Sequence, residues 1–131
     1  MIGPLLAPVE VVRAPEVDGK GRFRAVAEVT VGADETVLPG HYPGFPIFPG
    51  VCVIECVRLG ALQAPPPEAG PLALVSVDTA RFLSPVFPGD RLRLDLTWSG
   101  GPGAWTCGGE VATHRAVAAR VRLRFDGGGE A

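Results

Sequence analysis

A histidine, a glutamate and a glycine in this sequence have the residue types and surroundings for acid–base chemistry. His41 lies in an apolar loop, and three prolines within the next eight residues restrict its backbone. Glu55 lies in an otherwise apolar segment, where a buried carboxylate is costly unless it is paired or protonated. Gly50 stands where a helix would begin, so its N–H would favour developing negative charge. A base, an acid and an amide donor suit removal of a proton beside a carbonyl, followed by loss of a hydroxyl.

Each of these residues also has a purely structural interpretation. His41 could be satisfied by a backbone carbonyl, and Glu55 could pair with Arg58, three positions later, on an exposed stripe of a helix. Gly50 could simply provide room beside a proline. The second histidine, His114, lies in a strand-like stretch, and we expect it at the surface. The residue types alone leave these alternatives open.

Two consecutive segments must position these side chains. Residues 38–50 contain four prolines, which exclude a regular helix or a central strand, yet their apolar side chains indicate a loop packed in one shape. Residues 51–62 are apolar on nearly every side, and their length and Pro-Gly entry favour a helix over a strand. A helix that is apolar all round must be wrapped by other structure. Three prolines within residues 64–70 then end it.

The rest of the chain has the patterns of β-strands and tight turns. Alternating or β-branched stretches predict strands over residues 8–13, 22–31, 72–82, 91–98, 104–114 and 116–125. Turn residues occupy Asp18-Gly19 and residues 84–90 and 99–103. One buried helix with five or six antiparallel strands indicates an α+β fold in which the sheet wraps the helix. Residues 1–131 are expected to form one domain, with a frayed tail over 126–131.

Composition excludes several classes of protein. The net charge of −2 argues against a nucleic-acid binder, and the 47% of hydrophobic residues argues against disorder in spite of 18 glycines and 14 prolines. The sequence contains no uninterrupted run of about 18 apolar residues, so we expect no transmembrane helix. The N-terminal residues lack the basic leader of a signal peptide. We therefore expect a cytoplasmic protein.

The three cysteines favour packing over metal binding or disulfide formation. Their odd number and spacing do not form a disulfide framework, which indicates reduced thiols. Cys52 and Cys56 would share one helix face as small packing residues, because no histidine or further cysteine is spaced to complete a tetrahedral site. Cys107 lies in a predicted strand.

Two blocks of sequence resemble one enzyme family. From His41 to Glu55 the chain reads H-Y-P-G-F-P-I-F-P-G-V-C-V-I-E, which resembles the active-site segment of the β-hydroxyacyl-acyl-carrier-protein dehydratases of the FabZ type. The glutamate follows the histidine by fourteen positions, as in that family. Residues 78–92, D-T-A-R-F-L-S-P-V-F-P-G-D-R-L, resemble the family's second block. The resemblance implies a hotdog fold, in which an antiparallel sheet wraps a central apolar helix.

The resemblance also implies roles for individual residues. His41 would take the α-proton of a 3-hydroxyacyl thioester, and Glu55 would assist departure of the hydroxyl as water, directly or through a bound water. The amide of Gly50 would polarise the thioester carbonyl. The product would be a trans-2-enoyl thioester, made in fatty-acid synthesis or in a specialised lipid or polyketide pathway.

Partners and a binding tunnel follow from the same resemblance. The substrate would be carried on the phosphopantetheine of an acyl carrier protein, with no metal or redox cofactor. Relatives form dimers in which histidine and acid come from different subunits, so a homodimer or higher homo-oligomer is implied. Phe45, Phe48, Val51 and Phe82 would line an apolar tunnel for the acyl chain.

The helix departs from the family pattern after its acidic residue. The family usually continues Glu-Ala-Met-Ala-Gln, whereas this chain reads Glu55-Cys56-Val57-Arg58-Leu59, so Leu59 replaces the glutamine and Arg58 is an unexpected charge. Two other functions therefore stay open. One is an acyl-thioester hydrolase with the same fold, and the other is a non-catalytic subunit that binds an acyl carrier protein.

Overall fold

The computed structural model describes residues 9–31, 50–67 and 69–127. Within these ranges the elements are β1 (Glu10–Val17), β2 (Phe23–Thr30), α1 (Gly50–Gln63), β3 (Leu72–Phe82), β4 (Arg91–Gly101), β5 (Ala104–Ala112) and β6 (Val117–Gly127). The strands form one antiparallel six-stranded sheet in the order β1-β2-β4-β5-β6-β3. The α+β class predicted from the sequence is confirmed.

Helix α1 packs on the inner face of the sheet and contacts all six strands. Its buried side repeats every three to four residues, as a helix lying on a surface requires. That side comprises Cys52, Val53, Cys56, Val57, Gly60 and Ala61. The opposite side is half-buried or exposed, so within the described residues the sheet of this one chain covers α1 from one side.

The inner face of the sheet carries the matching core. Strands β4, β5 and β6 alternate buried residues with half-buried or exposed ones, because successive side chains of a strand point to opposite faces. At one end, the Trp98 ring packs edge-on against Trp105 and lies 5.2 Å from the Phe125 ring centroid. The Trp98 Nε1 donates a 2.8 Å hydrogen bond to the carbonyl of Ala64, just after α1. This bond fixes the C-terminal end of the helix against the sheet.

Several predicted boundaries shift in the structure. Strand β1 extends to Val17, past Pro15, because an edge strand tolerates a proline on its unpaired side. Strand β4 runs through Gly101, so the predicted turn over 99–103 shortens to Pro102 and Gly103. Strand β5 ends at Ala112, which places His114 in the turn before β6, where it is exposed as expected. Strand β6 includes residues 126 and 127 of the segment expected to be frayed.

Candidate functional site

A pocket of about 370 Å³ opens at the N-terminal end of α1. Gly50 begins the helix there, and Phe82 ends edge strand β3 beside it. A Cβ atom on Gly50 would lie 2.9 Å from Phe82 Cζ, so the absence of a side chain lets the ring approach the helix. The pocket is lined by Gly50, Val53, Phe82, Leu83, Ser84, Pro85, Val86 and Ala118.

The helix terminus gives this pocket its electrostatic character. The first N–H groups of an α-helix have no intrahelical acceptor, and the helix dipole adds partial positive charge at the same end. The first turn of α1 carries no acidic residue to offset that charge. The pocket therefore combines apolar walls with an end that favours a developing oxyanion, as a polarised thioester carbonyl would require.

The second wall of the pocket is the segment that follows β3, and it is tied to the start of β6. The backbone N–H groups of Leu83 and Ser84 both donate to the carbonyl of Ala118, at 2.8 and 3.2 Å. The Ser84 hydroxyl donates to the carbonyl of Val117 at 2.8 Å. These bonds hold an irregular segment in place, although it lies outside the strand ladder.

An ion pair between the buried Asp90 and the exposed Arg115 anchors the turn beyond that wall. Asp90 is only 7% exposed, and its carboxylate accepts hydrogen bonds from Phe87 N and from both terminal nitrogens of Arg115, at 2.8, 2.9 and 2.5 Å. The Arg115 guanidinium lies 5.1 Å from the centroid of the Phe87 ring. The hydrogen bond from Arg115 is the main reason that the pKa of Asp90 lies below its usual value. Sequence analysis did not identify this pair, although Asp90 lies in the second motif block, residues 78–92.

Glu55 does not line the pocket and pairs with Arg58. Arg58 Nε donates to Oε1 at 2.8 Å and its Nη2 donates to Oε2 at 2.5 Å. The Glu55 side chain is 27% exposed and the Arg58 side chain is 32% exposed. The hydrogen bond to Glu55 raises the pKa of Arg58. The pairing that the sequence left open as an alternative is therefore present, because an i,i+3 spacing places both residues on one side of the helix.

The structure brings together only some of the predicted site residues. Gly50 and Phe82 line the same pocket, whereas Val51 is 69% exposed and lies outside its lining. His41, Phe45 and Phe48 lie outside the described residues. Sequence analysis did not single out Ser84 within the second motif block, because the bond of its hydroxyl to the pocket wall crosses 33 positions of the chain.

Cysteine chemistry does not contribute to this site. Cys52, Cys56 and Cys107 are all buried, which agrees with their predicted packing role. Burial raises the pKa of the Cys107 thiol to about 12, so the nucleophilic thiolate is not populated near neutral pH. In the parts of the chain that the structure describes, no group of three His, Cys, Asp or Glu side chains could hold a metal ion.

A second concavity, of about 480 Å³, lies on the outer face of the sheet. Arg24, Arg81, Arg120 and Arg122 line it together with Asp95 and Glu110. It contains no helix terminus, and its surroundings are mostly polar and charged. The smaller pocket at Gly50 is the better candidate site because it combines apolar walls with a helix N-terminus.

Comparison with known proteins assigns the chain to a family. The sequence model of the ApeI-like family, described as ApeI dehydratase, matches residues 17–117, which is well over half of the chain. The chain belongs to the ApeI-like dehydratase family. The match includes both motif blocks, and it begins at the last residue of β1 and ends at the first residue of β6.

Curated relatives of this ApeI-like chain are FabZ proteins. The 3-hydroxyacyl-[acyl-carrier-protein] dehydratase FabZ of Symbiobacterium thermophilum is 46% identical over 77 residues, which cover 56% of this chain and 54% of that protein. The chain thus spans about half the length of the curated relatives it matches. The resemblance to the FabZ-type dehydratases is confirmed.

Solved structures show the same fold at low sequence identity. The dehydratase heterocomplex ApeI:P from Xenorhabdus doucetiae has a TM-score of 0.63 and 21% identity, with 79% of this chain and 87% of that chain covered. An uncharacterized protein from Erwinia carotovora subsp. atroseptica has a TM-score of 0.71 and 21% identity, with 94% and 98% covered. The ApeI-like chain has the hotdog fold.

One further finding bears on membranes. Helix α1 has 14 residues. Within the described ranges, no helix is long and apolar enough to cross a bilayer.

Proposed function

We propose that the chain dehydrates 3-hydroxyacyl thioesters carried on an acyl carrier protein, giving trans-2-enoyl thioesters and water. The observation that carries this proposal is the pocket at the N-terminus of α1, where Gly50 both begins the helix and lines the cavity. Membership of the ApeI-like family and the His41-to-Glu55 motif support the choice of reaction. The pathway would be fatty-acid synthesis or a specialised lipid or polyketide route.

The proposed roles follow from the chemistry of a thioester. Its α-proton is too weakly acidic for an imidazole alone, so the enolate oxygen that forms must be stabilised. The Gly50 amide would bind that oxygen, His41 would remove the proton, and Glu55 would assist departure of the hydroxyl. Phe82 lies at the pocket wall and would contact the acyl chain, with Phe45, Phe48 and Val51 as further proposed contacts. Neither a metal nor a redox cofactor enters these steps.

A second copy of the chain is the proposed partner at the β3 edge. Strand β3 has eleven residues, lies at the edge of the sheet and exposes apolar side chains at Leu74, Val75 and Val77. An exposed apolar edge strand favours pairing with another chain. The opposite edge strand, β1, contains Pro15, which hinders such pairing. A homodimer through β3 would place a second helix and its Glu55 near the first pocket.

The reaction is tested by supplying the purified protein with a 3-hydroxyacyl or trans-2-enoyl thioester on a carrier protein. Enoyl absorbance and free thiol are followed together. Reversible hydration without release of thiol supports the proposal. Release of thiol would instead identify a hydrolase, and the absence of both signals would identify a non-catalytic subunit that binds the carrier.

Two variants test the site residues against a matched control. His41→Ala and Glu55→Gln are each expected to lower turnover at least about a hundredfold, the usual contribution of a positioned acid or base. The control is His114→Ala, which removes the other histidine from an exposed turn and should leave turnover unchanged. Full activity in either site variant contradicts the assigned roles.

The dimer is tested separately by light scattering after size exclusion. Val75→Lys introduces a charge on the β3 edge and is expected to shift the protein from dimer to monomer. Val12→Lys makes the same change on the β1 edge, where Val12 is also exposed, and should leave the dimer intact. A monomeric wild-type protein, or equal effects of both substitutions, contradicts pairing through β3.

A further inference from the structure

The concavity of about 480 Å³ on the outer face of the sheet, called here the outer hollow, has no part in the proposed reaction. The strand register sets one row of its lining residues side by side across neighbouring strands: Arg24, Thr97, Gly108, Arg122 and Thr79. Each side chain in this row can donate a hydrogen bond, and none is a carboxylate. The row therefore offers a set of donors with no acid of its own.

Gly108 makes this row concave at its centre. A Cβ atom on Gly108 would meet nothing within 4 Å, and its φ is not in the left-handed region, so neither packing nor backbone geometry requires a glycine here. Glycine inside a strand costs stability, because it loses more conformational freedom on folding and packs no side chain. Such a glycine often marks a place where a ligand approaches the backbone closely.

The outer hollow also carries positive charge that no carboxylate balances. Its two acids are already engaged: Asp95 pairs with Arg93 at 3.4 Å. Glu110 pairs with Arg120 at 3.0 Å. Three further arginines of the hollow form no ion pair with any residue that the structure describes: Arg24, Arg81 and Arg122. This local excess of positive charge stands out in a chain whose net charge is −2.

Arg24 and Arg122 approach the hollow from its two sides. Strands β4 and β5 separate them, so their backbones lie about 14 Å apart at the usual spacing between strands. Gly108 lies between them on the floor of the hollow. Asp78 attracts Arg122 as well, but its two oxygens already accept hydrogen bonds from other side chains, at 2.8 and 3.1 Å. Both arginines therefore remain available to a ligand above the glycine.

We propose that the outer hollow binds a phosphate group over Gly108, between Arg24 and Arg122. The hydroxyl groups of Thr97 and Thr79 donate further hydrogen bonds to it. A phosphate dianion matches two guanidinium groups in charge, and each planar guanidinium can donate two parallel hydrogen bonds to its oxygens. A single carboxylate has one charge and two oxygens, so it would leave one arginine unmatched. The hollow admits the free ion or a phosphate ester, and it lies on the other face of the sheet from α1, so this inference does not depend on the proposed dehydration.

The first experiment titrates the full chain with sodium phosphate and follows its backbone amides by proton–nitrogen NMR. The pH is held at about 8, where a phosphate carries close to two charges. Sodium chloride keeps the ionic strength at about 0.15 M, where charges more than about 8 Å apart are largely screened. We expect saturable shifts centred on the amides of Thr97, Gly108 and Arg122. Shifts that do not saturate, or that centre elsewhere, overturn the proposal.

Gly108→Val fills the hollow without changing its charge. The Cβ atom has open space and a β-branched residue suits a strand, so the variant should fold and lose the saturable shifts. Arg24→Gln and Arg122→Gln are each expected to weaken phosphate binding at least about tenfold, the usual loss when a hydrogen bond between charged groups is removed. These exposed arginines decide the question alone if Gly108→Val melts at a lower temperature than the wild type.

The matched control is Arg91→Gln, which removes one positive charge from the same strand β4 that carries Thr97. Arg91 is paired with Glu28 at 2.6 Å and lies outside the lining of the hollow, about 20 Å along the strand from Thr97. The control should leave the affinity unchanged. Equal losses in Arg91→Gln and Arg122→Gln would assign binding to the general charge of the protein and overturn the site.

Two further titrations distinguish the possible sources of the anion. Phenyl phosphate that binds more tightly than inorganic phosphate identifies a phosphate ester as the ligand, and equal affinities identify the free ion. A polyglutamate peptide that binds more tightly than both, and binds Gly108→Val as well as the wild type, would overturn the proposal and identify a surface for an acidic protein.

Discussion

Gly109 in the core and Gly50 at the pocket both lie too close to a neighbouring side chain to accept a Cβ atom without displacing it, but their surroundings differ. A Cβ atom on Gly109 would lie 2.6 Å from Val57 Cγ1, and one on Gly50 would lie 2.9 Å from Phe82 Cζ. Val57 is completely buried between α1 and the sheet, whereas the Phe82 side chain is half-exposed beside a cavity. Val57 has no free space into which it could move, whereas the Phe82 ring could move toward the cavity. The same close approach therefore determines stability in the core and the shape of a binding site at the pocket.

The largest effect is expected from Gly109→Ala. The new methyl group must displace Val57, a β-branched residue with few rotamers, or move α1 away from β5. Overpacking of this kind costs about 3 kcal/mol, which lowers Tm by roughly 10 °C for a chain of this size. Denaturant unfolding measures the loss of free energy.

The double variant Gly109→Ala, Val57→Ala is the control for that contact. Removing the two γ-methyl groups should make the two substitutions strongly non-additive, because they share one contact. Additive losses, or a loss below about 1 kcal/mol in the single variant, would contradict the view that the core cannot yield.

Near the pocket, the stability of the fold should depend more on the ion pair between Asp90 and Arg115 than on packing. Asp90→Asn weakens the bonds from Arg115 and is expected to cost about 2 kcal/mol, the usual magnitude for hydrogen bonds to a charged group. The folded-state pKa of Asp90 is lowered, so this stabilisation is present above the unfolded value of 3.8 and is lost as pH falls through the folded value. The difference in unfolding free energy between wild type and variant should be constant near pH 7 and shrink below about pH 4. A difference that persists unchanged at pH 2 would assign the loss to packing.

Local pattern and non-local pairing explain what the sequence could and could not predict. Strand β3 was predicted with its observed bounds, and α1 within one residue at each end, because periodicity, prolines and glycines act locally. The strand order places β3 beside β6, and no local pattern encodes that pairing. Asp90 and Arg115 are 25 positions apart and meet across the open end of the β4–β5 hairpin, beyond the pair formed by Arg93 and Ala112. The sequence left open which side of α1 faces the sheet, because an apolar composition does not distinguish its sides.

At the pocket, Gly50→Ala is expected to affect activity more than stability. Phe82 is half-exposed, so its ring can move away from the new methyl group, and the cost in unfolding free energy should stay below about 1 kcal/mol. The displaced ring narrows the cavity beside the helix N-terminus, and we expect kcat/KM to fall at least about tenfold. Steady-state kinetics and thermal unfolding of the same sample measure both quantities.

Shortening the ring tests whether that loss arises from the contact. In the double variant Gly50→Ala, Phe82→Leu the smaller side chain leaves room for the methyl group, so part of the activity should return. A melting temperature that falls as far as in Gly109→Ala, with activity per folded molecule unchanged, would remove the distinction between the two glycines.

The smallest effect is expected from Gly108→Ala, next to Gly109 on the same strand. Gly108 faces the outer side of the sheet, and a Cβ atom there would meet nothing within 4 Å. Alanine loses less conformational entropy on folding than glycine, so this variant should be neutral or more stable by about 0.5 kcal/mol. Chemical denaturation of Gly108→Ala and Gly109→Ala side by side gives the comparison. If both variants lost similar stability, the cost at Gly109 would belong to the backbone of β5, because only Gly109 faces the helix.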